Sequence, residues 1–326
     1  MPGTAVGTKV IKDAVCLACR APSLHNTQPW QWVLDGGQLQ LFVDTHRVLA
    51  YDRSRRQALI SCGAALDHFR VAMAAAGLRS HVDRFPNPND PNHLASIHFS
   101  PMDYVTDGHR RRADAILVRR TDRLPLNAPM NWESFEPVLR NAVDGDAVHL
   151  DVMPEDLRKC LADASQLAES LRLYDSQYHA ELGWWTAPFE ASEGIPYSAL
   201  VSAAEGDRVD VGRAFPVTHN QERRTEVPED RSTILLLSTD SDSRLDALVA
   251  GEALSAVLLE CTVAGLATCP VTHITEVRAT RDMVTSCMEH DTVPQILIRV
   301  GVAPATEQIP PPTPRRPLDE VLLVQR

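Results

Sequence analysis

Hydrophobic and polar positions follow the same order of helix-like and strand-like patterns twice along the 326-residue chain. Residues 38–44 (QLQLFVD) and 147–153 (AVHLDVM) alternate apolar and polar side chains, as half-buried strands do. Each precedes a long helix rich in alanine. Strands predicted near residues 96–99 and 295–300 close the two series. The order helix, strand, long helix, strand therefore occurs twice, which favours an α+β chain with an internal duplication.

The two long helices carry the clearest similarity. Residues 61–78 (SCGAALDHFRVAMAAAGL) and 249–266 (VAGEALSAVLLECTVAGL) align without gaps, and Gly63 and Gly251 coincide. Helices so rich in small residues can pack at close backbone distance. Any two alanine-rich helices resemble each other to some degree, but the agreement of strands and helices together favours a duplication.

The second half is longer than the first between its strand and its long helix, which predicts an insertion at about residues 155–231. A connection of this length is typical of a lid over a binding site or of a separate helical subdomain. Trp184 and Trp185 are its candidate lid residues, although such aromatics also suit a small core within the insertion itself. We therefore predict two related halves, residues 1–108 and 109–326, the second containing the insertion.

Residues 21–30 (APSLHNTQPW) form the most informative segment of the first half. A Pro-Ser turn and a Pro-Trp pair enclose Asn26 and Gln28, whose amide groups carry hydrogen-bond donors and acceptors together. That combination suits the edge of a heterocycle with alternating C=O and N–H groups. From local chemistry alone, a polar turn that anchors a buried tryptophan explains the segment equally well.

The segment also resembles the PS-x-x-N-x-Q-P-W element of the FMN-dependent nitroreductase family, where it lines the flavin ring. The resemblance covers nearly the whole chain apart from the insertion. It implies a nitroreductase-like α+β fold and FMN contacts from Pro22, Ser23, Asn26 and Gln28. Nitroreductases are usually homodimers with the flavin at the subunit interface. A duplicated chain is similar to such a dimer fused into one polypeptide, the Acg-like branch, and this intramolecular pseudo-dimer is compatible with a monomer.

A basic segment near the start of the second half resembles the family's phosphate-binding motif. Residues 119–123 (RRTDR) are similar to its Arg-x-Ser-x-Arg/Lys element. The resemblance implies that Arg119, Thr121 and Arg123 hold the flavin phosphate and ribityl chain, which need paired cations and hydroxyl donors. Without the resemblance, a solvated basic stretch is the simpler interpretation.

A second basic segment lies near the end of the sequence. Residues 310–317 (PPPTPRRP) resemble the family's terminal basic element, which closes over the phosphate. The resemblance implies that Arg315 or Arg316 contributes, on a polyproline backbone that is already extended. The alternative is a PxxPR ligand for a peptide-binding domain.

The third family element corresponds to residues 267–273 (ATCPVTH), directly after the second long helix. The family uses this loop to direct backbone N–H groups at the N5 side of the flavin, where they stabilise charge without reorganising. Its usual Glu-Gly pair is Thr272-His273 here, which puts substrate access and hydride chemistry in question. His273 is a candidate proton donor or a structural histidine. The implied cofactor contacts are Cys269, Pro270, Val271, Thr272 and His273.

The two halves are not equivalent in these elements. The first half has no Arg-x-Ser/Thr-x-Arg motif, and the second half has no PS-x-x-N-x-Q-P-W turn. This predicts one FMN per chain, in a site formed by both halves. The resemblance implies an oxidoreductase that passes hydride from NAD(P)H, a transient reductant, through FMN to a small quinone-type or nitro-type acceptor. No side chain is assigned to catalysis, because FMN carries the chemistry. The alternative is an FMN storage or sequestration protein with a closed lid and little or no turnover.

Composition narrows the partners to small molecules. A net charge of −11 disfavours nucleic acids and anionic membranes. No signal peptide or membrane-spanning helix is expected, and seven scattered cysteines form no disulfide framework, which favours a reducing cytoplasm. Cys16 and Cys19 form one Cys-x-x-Cys pair inside the first predicted helix, so no metal site is expected. Because G-x-G-x-x-G and P-loop sequences are lacking, a dedicated dinucleotide or nucleoside-triphosphate site is disfavoured.

Overall fold

The computed structural model describes residues 6–187, 193–216, 218, 222–288, 290–305 and 311–325. Parts of two predicted segments, residue 310 and positions within the insertion, lie outside these ranges. The first half contains α1 (Thr8–Ala18), β1 (Trp30–Asp35), β2 (Gln38–Val43), α2 (Arg56–Ala75), β3 (Leu78–Arg84) and β4 (His93–Pro101). The second half begins with α3 (Asp107–Val118), α4 (Trp132–Ala142) and β5 (His149–Val152). The insertion contributes α5 (Arg158–Arg172), α6 (Ser176–Trp185) and α7 (Ala203–Gly206). The remaining elements are β6 (Thr233–Thr239), α8 (Arg244–Val263), β7 (Ala267–Val271), α9 (His273–Glu276), α10 (Arg278–Ser286), β8 (Val293–Gly301), α11 (Leu318–Val321) and β9 (Leu322–Val324).

The two sheets share one strand order, which confirms the α+β architecture. One sheet runs β3-β4-β2-β1-β9 and the other β7-β8-β6-β5, with antiparallel pairs at equivalent places. The long helices α2 and α8 follow the equivalent strands β2 and β6. The last strand, β9, pairs parallel to β1 at the edge of the first sheet, so the end of the chain returns to the first half. The division at residue 108 stays a prediction.

The strand predicted at residues 147–153, which was expected to correspond to β2, corresponds to β1 instead. By topology β5 is the counterpart of β1, and β6, directly before α8, is the counterpart of β2. The insertion therefore separates the first two strands of the second half rather than a strand from its helix. All but the first residue of β6 (TILLLST) are buried, so its apolar run lacks the alternation from which strands were predicted.

The helices α2 and α8 cross in backbone contact. A Cβ atom added to Gly63 would lie 2.0 Å from the carbonyl oxygen of Leu248, and one added to Gly251 would lie 2.0 Å from that of Ile60. Because no side chain fits at either position, the coinciding glycines of the repeat set the distance between the halves. By length and composition α2 could cross a membrane, but 78% of its apolar window is buried inside the protein.

The cysteines contain one bonded pair. A disulfide joins Cys160 of α5 to Cys287 after α10, 127 residues apart; this pair was not predicted, and the other five cysteines are free, so one bridge is present and not a framework. So long a separation leaves no pattern in the sequence. Cys16 is exposed on α1 and Cys19 is buried at its end. Within the described ranges, no group of three His, Cys, Asp or Glu side chains is placed to hold a metal ion.

Candidate functional site

A cavity of about 600 Å³ lies where the two halves and the insertion meet. The first half contributes the turn of residues 22–25 and the start of α2. The second half contributes Thr121, Arg123 and residues 269–273 at the junction of β7 and α9. The insertion forms a wall with residues between Ser165 and Phe215. Three segments far apart in the sequence therefore surround one space, among them most of the predicted cofactor contacts.

The turn after α1 is held in shape by its own hydrogen bonds. The backbone N–H of Gln28 donates to Ser23 Oγ at 3.0 Å, and that of Leu24 donates to Ser61 Oγ of α2 at 3.3 Å. His25 and Asn26 adopt left-handed φ values of 50° and 61°, which non-glycine residues rarely do. This geometry places Pro22, Ser23, Leu24 and His25 along the cavity.

The two amide side chains of the turn are used inside the protein. Asn26 Nδ2 donates to the carbonyl oxygens of Gly194 at 3.0 Å and Pro314 at 3.1 Å. Gln28 Oε1 accepts from the backbone N–H of Arg316 at 2.8 Å, and its Nε2 donates to the Asn26 carbonyl at 3.2 Å. Neither side chain lines the cavity. The structure therefore gives them a positioning role, tying the turn to the insertion and to the C-terminal segment, instead of a heterocycle edge to bind.

Three arginines, Arg20, Arg119 and Arg315, form a group that we call the arginine cluster. Arg119 and Arg315 both donate to the carbonyl oxygen of Arg20, at 3.5 and 3.1 Å, and the Arg20 guanidinium donates to that of Leu117 at 3.1 Å. Among the described residues, every hydrogen-bond partner of the three is a carbonyl oxygen and none is a carboxylate. Arg119 is buried, and its Nε and Nη1 have no hydrogen-bond partner.

The cluster has the electrostatics of a site for an anion, because its hydrogen-bond partners among the described residues are all uncharged. Burial lowers the pKa of Arg119 to about 9, and the charges of Arg315 and Arg20 act in the same direction. Burial, followed by the charge of Arg20, lowers the pKa of Arg315 to about 10. Repulsion between buried guanidinium groups is costly unless an anion offsets it. Arg20 was not predicted, although its position directly before the Pro-Ser turn is a usable signal.

The other residues predicted to contact the phosphate and ribityl chain lie outside the arginine cluster, at three different locations. Arg123 lines the cavity with its Cζ 5.2 Å from the ring centre of Phe215, and burial lowers its pKa. Thr121 lies beside β7, bridging to Thr268. Arg316 faces the first sheet instead, with Nη1 3.6 Å from an Asp44 carboxylate oxygen. The structure thus brings Arg119 and Arg315 together and leaves Arg316 in a structural contact.

Residues 269–273 run along the cavity from the end of β7 into α9. Burial raises the pKa of the Cys269 thiol. His273 Nε2 lies 2.7 Å from Ser165 Oγ, and that hydroxyl donates to the Gly212 carbonyl at 3.2 Å. The hydroxyl therefore accepts the Nε2–H of His273, whose Nδ1 is left buried without a partner. Because its N–H already serves Ser165, His273 has no proton to offer the cavity, which corrects its candidacy as a proton donor.

The insertion contributes different residues from those predicted. Trp184 is 68% exposed, and Trp185 packs against Arg47 in a surface groove away from the cavity. Arg213 and Phe215 line the cavity in their place. Arg213 is held by an ion pair with Glu276 and donates to Tyr178 Oη at 2.8 Å. The irregular backbone around these residues offers no periodicity from which their direction could be predicted.

The fold and the cavity define a two-sheet α+β protein with a cavity at the junction of its halves and the insertion. No model of a known protein family matches the chain. It is 61% identical to "Putative NAD(P)H nitroreductase acg" of Mycobacterium tuberculosis over 326 residues, 100% of this chain and 98% of that protein. A second M. tuberculosis protein, named as a "Putative NAD(P)H nitroreductase", is 35% identical over 319 residues, 96% of this chain and 91% of its own length. The chain therefore belongs to the nitroreductase family of oxidoreductases, in its Acg-like branch.

Similarity to solved structures is more remote. The crystal structure of the FMN-dependent nitroreductase NfnB from Mycobacterium smegmatis in complex with NADPH is 16% identical, with a TM-score of 0.41, and the match covers 68% of this chain and all of that one. A structure described as "a putative nitroreductase" from Anabaena variabilis is 9% identical, with a TM-score of 0.47, over 90% of this chain and 73% of that one.

Proposed function

We propose that this protein binds one FMN across the junction of its halves and carries electrons from NAD(P)H to a small oxidised acceptor such as a quinone or a nitro compound. FMN supplies reversible hydride chemistry when it is bound. The side chains of this protein bind and orient the partners and exclude water. The predicted setting is the cytoplasm, with no further subunit required.

The arginine cluster is the observation that carries this proposal. The guanidinium groups of Arg119 and Arg315 share the backbone carbonyl of Arg20, whose own guanidinium bonds to the Leu117 carbonyl, and no carboxylate among the described residues accepts a hydrogen bond from the three. The unpartnered Nε and Nη1 of Arg119 are donors that need an acceptor. A phosphate monoester carries nearly two negative charges and three acceptor oxygens, so it matches both needs at once.

The neighbouring cavity suits the remainder of a flavin. Apolar side chains such as Ile60, Leu254 and Ile296 line it together with the hydroxyl groups of Ser23 and Thr121. A volume of about 600 Å³ with a few polar groups is typical of a site for a planar cofactor. Arg123 brings hydrogen-bond donors that have no protein partner among the described residues. These residues would hold the ring and the ribityl chain.

The relatives' names support NAD(P)H as the reductant. Because the sequence lacks a G-x-G-x-x-G loop, the nicotinamide would bind in the cavity itself and leave after each transfer. We expect sub-micromolar affinity for FMN and much weaker affinity for riboflavin, which lacks the phosphate. We also expect NADH or NADPH to bleach the bound flavin rapidly in a stopped-flow instrument. A purified protein that is colourless and takes up no FMN would contradict the proposal.

One observation favours a second candidate, FMN sequestration. The insertion lines one side of the cavity with residues of α5 and of the segment 201–215, and Asn26 and Arg47 tie residues 193–194 to the first half. If this wall stays closed, bound FMN would be reduced by dithionite but not by NADH or NADPH. The same stopped-flow experiment therefore separates the two functions.

A further inference from the structure

His25 is a cavity residue that the proposed function leaves without a role. It lies in the turn of residues 22–25, is buried to 4% exposure, and lines the cavity. Its left-handed φ of 50° is a conformation that needs support from the surrounding structure. The imidazole packs edge-on against Phe215, with ring centres 6.2 Å apart. The backbone and this neighbour together hold the ring at the surface of the cavity.

The hydrogen bonds of His25 determine which of its nitrogens carries the proton. Nε2 lies 2.8 Å from Tyr51 Oη. Burial raises the pKa of Tyr51 well above its usual value, so the phenol keeps its proton, and it has no other hydrogen-bond partner among the described residues. A phenol with one partner donates to it, which makes Nε2 the acceptor and places the proton on Nδ1. Nδ1–H has no partner among the described side chains.

Tyr51 itself is held firmly. Its ring stands edge-on to Tyr178 with centres 5.2 Å apart, and the Arg172 guanidinium lies over both rings, at 4.8 and 4.3 Å. Arg172 pairs in turn with Glu276 at 3.1 Å. The dyad of His25 and Tyr51 therefore rests on a packed support, so the direction of the Nδ1–H bond is set before any ligand arrives.

His25 also differs from the other histidine of the cavity. His273 uses its N–H on Ser165 and keeps a lone pair on Nδ1. Burial, aided by the positive charge of Arg213, lowers the pKa of His25 well below its usual value, so the ring is neutral. Among the described lining histidines, His25 is the one whose assigned tautomer leaves an N–H, on Nδ1, without a protein partner. An uncharged donor in a partly apolar cavity recognises an oxygen that gains negative charge.

We infer that His25 binds the carbonyl or nitro oxygen of an uncharged aromatic electron acceptor by donating a hydrogen bond from Nδ1, with Tyr51 as the positioning residue that sets its tautomer. This inference rests on the proposed function, because it names the chemistry by which the acceptor is held in the same cavity. The imidazole keeps its proton, and no bond is made or broken at His25. Preference for an oxygen-bearing ring over its hydrocarbon analogue is the property that follows.

The test compares menadione, a naphthoquinone, with 2-methylnaphthalene, which has the same skeleton without the oxygens. Both are titrated into the oxidised, FMN-loaded protein, where no reductant is present and binding is an equilibrium. We expect His25→Phe to weaken the binding of menadione about tenfold, since one neutral hydrogen bond is lost, and to leave the affinity for 2-methylnaphthalene within twofold. His25→Asn, which keeps an N–H donor, restores part of the preference. Tyr51→Phe gives a smaller loss and shifts the ¹⁵N resonances of His25 towards a mixture of tautomers.

Controls separate this outcome from a structural effect. The exposed His81→Phe should bind both compounds as the unsubstituted protein does, and unchanged circular dichroism and FMN affinity verify that each variant is folded. Equal weakening of both compounds by His25→Phe, or no weakening of menadione, would overturn the inference. If the protein bound no FMN, the proposed function would fail. The same comparison by tryptophan fluorescence on the flavin-free protein would then decide the role of His25 alone.

Discussion

The first two strands of each half are connected in two very different ways. In the first half β1 passes to β2 through Gly36 and Gly37, whose φ values of 53° and 85° suit the tightest hairpin turn. In the second half residues 153–232 separate β5 from β6. Both pairs nevertheless form the same antiparallel ladder. The sheets and long helices are thus a frame that tolerates a large insertion at one strand connection.

The frame and the insertion contribute differently to stability and to ligand binding. The frame buries most of the core, with α2 and α8 in backbone contact, and carries the arginine cluster and the turn of residues 22–25. The insertion has a smaller core of its own with β6, β7 and β8 and supplies one wall of the cavity. We expect changes in the frame to affect folding and affinity, and changes in the insertion to affect mainly how fast a ligand leaves.

The largest expected effect is on the free energy of unfolding, and it is tested by a Gly→Ala substitution in each region. Gly251→Ala places a Cβ atom 2.0 Å from the Ile60 carbonyl oxygen, a backbone atom that cannot move alone. We expect it to reduce the free energy of unfolding by about 4 kcal/mol or to prevent folding. Gly183→Ala in α6, where a Cβ meets nothing within 4 Å, should stabilise by up to about 1 kcal/mol. Urea unfolding measures both, and similar values for the two variants would contradict the close crossing.

The next effect concerns the anion site of the frame. Arg119→Ala combined with Arg315→Ala should weaken FMN binding about 100-fold or more, because charge-assisted hydrogen bonds to a phosphate are lost. Riboflavin affinity should hardly change. Without ligand, the double variant should unfold at a higher urea concentration, since two buried like charges are gone. Arg278→Ala, whose side chain is 93% exposed, is the matched control. Equal losses for FMN and riboflavin would place the phosphate elsewhere.

A third prediction uses pH at the contact between frame and insertion. Burial lowers the pKa of His273 to about 3, against about 6.5 in the unfolded chain. Between these pH values the unfolded chain binds a proton at His273 that the folded protein does not bind. The contribution of the neutral, buried His273 to the free energy of unfolding is therefore complete above pH 6.5 and is lost as the pH falls towards 3. From pH 7 to pH 5 the free energy of unfolding should fall by about 2 kcal/mol more in the unsubstituted protein than in His273→Gln. Parallel stability curves for the two proteins would show that His273 is accessible to protons when folded.

The smallest effect separates the two aromatic groups of the insertion. Phe215 lines the cavity against Arg123, so Phe215→Ala should raise the rate of FMN dissociation about fivefold. Trp184 is exposed and outside the cavity, so Trp184→Ala should leave that rate within twofold. Release into excess apoflavodoxin measures both rates. A stronger effect at Trp184 would restore the predicted tryptophan lid.

Sequence patterns identified the elements whose signals are local. The coinciding Gly63 and Gly251 do lie at the helix crossing, because small residues in register are what a close crossing requires. The fold class followed from the repeated order of elements. By contrast, β6 lacks alternation because both its faces are covered, and the Cys160–Cys287 disulfide joins residues with no spacing pattern. Element type is a local property, whereas pairing depends on neighbours that the chain brings from elsewhere.

Local patterns in the chain were enough to predict the family elements of this protein: the turn of residues 21–30, the basic segment of residues 119–123 and the long helices. Which side chains of those segments are available to a ligand became clear from the folded structure alone. Asn26 and Gln28 form hydrogen bonds with partners nearly 300 residues away, whereas His25, directly before Asn26, lines the cavity and Arg20 joins Arg119 and Arg315. The physical reason is that a polar group is available only where packing leaves it without an internal partner, and those partners come from distant parts of the chain.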